Sequence, residues 1–253
     1  MELRPTEVPE PDATLEPAGF MVDGDGGDRI HFLDWGGPPF TSAAPGILAI
    51  HGLGQTAWIW APVARRISGI GDPRRFVSVD LRGHGLSDAP TEDGRYDLDV
   101  LAGDAVAVAE GAGLLGGSTG DRIVMVGHGL GAIVAARAAA RLGAGCAGLV
   151  LVDGGWERLD VTTGLDADEF LRGLDEPPEV LRSLAAFLAD RKAFDPGTWD
   201  ADQERAARAT IVETHAGRVV PSARPHATEA SVRAMFDYDP RPSSPPSARR
   251  SWP

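Results

Sequence analysis

The sequence predicts an α/β fold, a doubly wound, mostly parallel sheet with a helical cap. Four short apolar runs, GILAI, FVSV, RIVMV and CAGLVLV, read as strands buried on both faces. Stretches of helical spacing separate them, as crossovers between parallel strands require. From Gly154 the buried-strand texture gives way to helical spacing, which predicts an insertion.

Taken in order, residues 1–16 are rich in Pro and Glu and predict a flexible tail, with order beginning near Gly19. FMVD and RIHFLDW flank the turn-forming DGGD and predict an antiparallel hairpin at one edge of the sheet. GILAI predicts the third strand, and AWIWAPVARRI a helix after it. FVSV is followed by a helix over DLDVLAGDAVAVAEGAG, and RIVMV by one over LGAIVAARAAARLG. CAGLVLV closes a core of first six strands at residues 17–153. Residues 154–226 predict an all-helical cap, and 227–253 a returning helix, ATEASVRAMF, and an irregular tail.

Composition narrows the functions open to such a domain. The 253 residues are 43% hydrophobic and 24% charged, enough to bury a real core. Twenty-four Lys and Arg face 37 Asp and Glu, a net charge of -13 that repels nucleic acid and anionic membranes and leaves small-molecule partners. The N-terminal MELRPTEVPEPD lacks the basic start and apolar stretch of a signal peptide, and no apolar run is long enough to span a bilayer, so a cytoplasmic location is expected. The lone Cys146 predicts a small packed side chain. The pairs Arg65-Arg66 and Arg249-Arg250 read as solvated charges, and no cofactor is expected.

Ligands of open parallel sheets bind beyond the carboxyl ends of the strands. The three loops there read HGLGQ at 51–55, DLRGHGLSD at 80–88 and GHGLG at 127–131. Glycines in the first free backbone N–H groups to stabilise an oxyanion. The third has the outline of the strand-to-helix elbow G-x-S-x-G that carries an attacking serine. From about residue 18 to 240 the chain resembles the α/β-hydrolase fold family, matching HG after the third strand, D-x-R-G-x-G-x-S after the fourth and the elbow after the fifth. The resemblance implies a capped, α/β-hydrolase-like core, an oxyanion hole from the N–H groups of Leu53 and Leu130 beside His51 and Gly52, and a nucleophile at position 129.

Here that position is Gly129, which has no side chain to attack with. Gly127 and Gly131 predict that the turn keeps its shape. His128, next to it, is expected to pack or hydrogen-bond away from the nucleophile's direction. Asp153, after the sixth strand, has two readings: the acid of a triad, or a carboxylate that accepts backbone N–H groups. Trp156 is the pocket candidate by position, while Trp58 and Trp60 are expected to divide between surface and core. Ser87 reads as a loop hydrogen-bonder and His215 and His226 as surface residues. A metal held by His51, His84 and His128 matches no known ligand spacing.

The tail PRPSSPPSARRSWP consists of residues with C-rich codons. Read one base earlier in a GC-rich gene it becomes an apolar run like the approach to the family's seventh strand. A frameshift near Asp239 to Arg241 is therefore expected, with truncation at the C-terminus, loss of the triad histidine, and a sixth strand open to self-association. Three functional readings follow: a hydrolase of small ester or amide substrates, impaired at Gly129; a non-catalytic pseudoenzyme that binds a small molecule; and a truncated product without function.

Overall fold

A computed structural model describes residues 14–37, 44–68, 74–115, 122–177 and 179–241. A six-stranded sheet runs in the order β1-β2-β4-β3-β5-β6. Strands β1 (Ala18–Asp23) and β2 (Arg29–Asp34) form the expected antiparallel hairpin, and β2 pairs antiparallel with β4 (Phe76–Val79). Strands β3 (Gly46–Ile50), β4, β5 (Ile123–His128) and β6 (Cys146–Val152) run parallel.

Alternation along β3 shows why the sheet is covered twice. Leu48 and Ile50 face a core that includes Leu101 and Ala105 of α2 (Leu98–Gly111) and Ile133 of α3 (Leu130–Leu142). Ile47 and Ala49 face Trp35, Trp60 and Ala64 on the side of α1 (Ala61–Ser68). A strand with one polar face could not serve both layers. At the far edge, Leu149, Val150 and Val152 of β6 are exposed. Cys146 opens that strand, and its thiol donates to Gly148 O at 3.2 Å.

The cap holds α4 (Leu159–Thr163), α5 (Ala167–Gly173), α6 (Leu184–Phe194) and α7 (Ala201–Ala209). Its helices start where polar side chains take up free N–H groups: Asp166 and Glu169 form a capping box, Ser183 accepts from Ala186 N, and Asp200 from Gln203 N. Against expectation the cap is not all helical. β7 (Ile211–Glu213) and β8 (Val219–Pro221) pair antiparallel, because β-branched Ile211 and Val212 fit extended backbone and the turn at Gly217 lets the chain return. Helix α8 (Pro225–Phe236) begins before residue 227, with Pro225 in its first turn, where the missing N–H costs nothing.

Three further expectations need correction. AWIWAPVARRI is a 3-10 turn (Ala57–Trp60) followed by α1, with Ala61 N–H bonding Trp58 O; Pro62 has no N–H to continue an α-helical ladder from there. Arg65 is not a solvated charge. Its guanidinium is buried and bonds Glu16, Asp202 and Leu15 O. Leu15 and Glu16 therefore leave the segment read as a tail and anchor to the helical layer, Glu16 also binding Arg205 at 2.6 Å. Residues 1–13, the frameshift-candidate tail from 242 and the pair at 249–250 lie outside the described residues.

Candidate active site

Between β5 and α3 the chain turns through Gly129 at φ 54° and ψ −116°, a conformation L side chains rarely adopt. The turn is held by its neighbours: Gly129 N–H bonds Val152 O at 3.0 Å, and Ala132 N–H bonds Gly129 O at 3.0 Å. Apart from its chain neighbours, a Cβ built on Gly129 meets Gly52 Cα at 3.8 Å, an ordinary contact, so the main cost of a side chain there is backbone strain. Gly129→Ala is accordingly expected to destabilise by about 1–3 kcal/mol, read from urea unfolding. A cost near zero would mean that the turn relaxes out of its positive φ.

Facing the elbow, residues 52–55 form a turn in which Gln55 N–H bonds Gly52 O at 3.2 Å. Two buried histidines hold it. His51 Nδ1 bonds Gly52 O at 2.7 Å, and its Nε2 accepts from Leu81 N at 2.9 Å. Burial, with His84 nearby, pushes the His51 imidazole down to about 3, so it is neutral and structural at neutral pH. His84 Nε2 accepts from Gly54 N at 3.1 Å, and its Nδ1 bonds Arg82 O at 3.1 Å. Each ring spends one nitrogen on the turn at 52–55 and the other on the backbone of residues 81–82. Leu53 N–H has no partner among the described residues, and Leu130 N–H, opening α3, has no preceding turn to bond.

His128 reaches the turn at 52–55 and bonds there. A Cβ on Gly52 would come within 2.7 Å of its Nδ1. Its Nδ1 is 2.9 Å from Gln55 Oε1, and its Nε2 is 3.8 Å from Asp153 Oδ2. Asp153 is the one non-glycine residue at positive φ (50°) among the described residues, and its side chain is 88% exposed. Trp156 is 55% exposed and does not line the cavity under the cap. Trp60 is buried, while Trp58 meets Trp35 edge-on with Arg205 over its face.

That cavity, of about 620 Å³, runs from Leu53, Gln55 and Ile59 to Phe187, Gln203 and Ala207 of the cap. Ser87 bonds its own loop, donating to Asp80 O at 2.7 Å, and His215 and His226 are exposed. Sequence reasoning missed Gln55, whose part depends on a histidine 73 positions away. It also missed Asp80, which binds the loop through Ala57 N at 2.7 Å, and the buried ion pair of Arg82 with Asp104.

A family model described as "Alpha/beta hydrolase family" matches residues 47–252. Epoxide hydrolase 1 of Caenorhabditis elegans is 32% identical over 107 residues, 42% of this chain and 23% of that protein. N-formylmaleamate deformylase of Pseudomonas putida is 36% identical over 128 residues, 50% of this chain and 42% of that protein. The match thus spans less than half the length of either relative. Among solved structures, E-2-(acetamidomethylene)succinate hydrolase is similar in fold, with a TM-score of 0.67 at 21% identity over 87% of this chain and 74% of that one.

Proposed function

The chain belongs to the alpha/beta hydrolase family, and from that premise we propose that it binds a small ester or amide at the elbow without forming a covalent enzyme intermediate. The observation that carries this reading is Gly129, which keeps the elbow's φ 54° and ψ −116° and offers no atom to attack with. The carbonyl oxygen is taken to lie against the N–H groups of Leu53 and Leu130. The rest of the ligand enters the cavity under the cap, where Ile59 and Phe187 supply apolar wall and Gln203 a polar group. Both named relatives act on small molecules by their names, an epoxide and N-formylmaleamate, which agrees with a small ligand here.

Titration calorimetry with N-phenylbutanamide, an amide far less reactive than an ester, tests the reading. Saturable binding with a negative heat-capacity change is expected, because apolar surface leaves water. Ala207→Trp, which fills the cavity from α7, should weaken binding by at least about tenfold, the loss of a well-packed ligand group. Absence of binding by the unaltered chain, or unchanged affinity in a folded Ala207→Trp variant, would count against the cavity as the ligand site.

A further inference from the structure

The geometry points to His128 as a general base that activates water beside Gly129, an inference resting on the carbonyl-binding reading above. Its protonation is set by a chain of hydrogen bonds that can be followed in one direction only. Gly52 N–H donates to Gln55 Oε1 at 3.1 Å, and a backbone N–H has no other role, so the amide oxygen must face it. The same Oε1 lies 2.9 Å from His128 Nδ1. Nδ1 is therefore the donor, and the neutral ring presents an unprotonated Nε2.

The loops around that nitrogen converge on the elbow. Nε2 is 3.8 Å from Asp153 Oδ2. The residue before Asp153 accepts from Gly129 N–H, and a Cβ on the residue after it would lie 3.2 Å from Gly129 Cα. Gly52 borders both the His128 ring and the open space where a side chain at 129 would begin. An unprotonated ring nitrogen beside an elbow that lacks its nucleophile is the arrangement that direct attack by water requires. Asp153, exposed and at positive φ, is placed to stabilise the imidazolium.

The step balances without a covalent enzyme. As the water oxygen bonds to the carbonyl carbon, Nε2 takes one of its protons. The π pair moves to the carbonyl oxygen, which rests on the Leu53 and Leu130 N–H groups. On collapse C=O re-forms, the bond to the leaving group breaks with its electron pair, and Nε2–H returns the proton to that group. The products are an acid and an alcohol or amine.

The test is turnover of p-nitrophenyl butyrate by the full chain and three variants, each checked for folding by thermal unfolding. The unaltered chain should exceed buffer and show no burst. His128→Ala should lower kcat by about 100-fold or more, the usual share of a general base, with KM little changed, and added imidazole should restore part of it. Gln55→Glu keeps an acceptor for both Gly52 N–H and Nδ1–H and should retain the rate, whereas Gln55→Leu should lose at least about tenfold through the wrong tautomer. A rate no greater than buffer, an undiminished His128→Ala, a folded His128→Ala that imidazole fails to restore, or a stoichiometric burst would overturn the assignment. If N-phenylbutanamide still binds, that failure touches His128 alone; if it does not bind, the carbonyl-binding reading fails first.

Discussion

Replacing Asp80 with alanine is expected to lower the unfolding free energy by about 3–5 kcal/mol, because several donors would lose their acceptor in a dry interior. The carboxylate is 3% exposed. Its Oδ1 accepts from Ala57 N at 2.7 Å, and its Oδ2 lies 2.8 Å from His31 Nδ1 and 3.1 Å from Leu86 N. Ala57 opens the 3-10 turn that follows Leu53, so the same substitution should loosen the candidate site and weaken N-phenylbutanamide binding. Asp80→Asn keeps one acceptor oxygen and should cost less. Burial pushes the carboxyl up, but the bonds from His31, Ala57 and Leu86 outweigh it and hold it below the usual carboxylate range. Its ionised form is thus favoured by folding. That contribution is full above about pH 4, the unfolded value, and is lost as pH falls through the lower folded one. The stability gap between the unaltered chain and the Asp80→Asn variant, from urea unfolding at stepped pH, should shrink on acidification; a gap that widens would reverse the assignment.

What the sequence made legible follows from how local each signal is. The strands of the sheet core are short apolar runs, and the elbow is spelled by Gly127, Gly129 and Gly131 within one turn. Such features are decided by neighbours along the chain. Arg65 was misread because its partners Glu16 and Asp202 lie 49 and 137 positions away. Strands β7 and β8 have three residues each, too few for a period to show. The partner of His128 was hidden for a related reason: Gln55 comes from another loop, and no rule of spacing relates the two. The family resemblance supplied position 129 and the oxyanion loop, while the tautomer of His128 needed coordinates.

Gly131→Ala and Gly127→Ala are each expected to cost more than about 3 kcal/mol, beyond the usual range for one added methyl in a packed interior. A Cβ on Gly131 would come within 3.0 Å of the carbonyl oxygens of Ile50 and His51, and one on Gly127 within 3.0 Å of Gly131 O. Real Cβ atoms essentially never stand so close, and here the obstacles are backbone, which no rotamer change can move. The start of α3 would have to lift from the ends of β3 and β5. Gly129→Ala meets no such obstacle, so urea unfolding should rank it as the mildest of the three. Because both clashes are relieved by the same displacement of α3, the double variant should cost clearly less than the sum of the singles. Strict additivity would mean two separate distortions and would contradict a single close contact. The same displacement carries Leu130 away from the turn at 52–55, so a chain that still folds should bind N-phenylbutanamide poorly. Retained affinity in Gly131→Ala would show that the two N–H groups do not act together on the ligand.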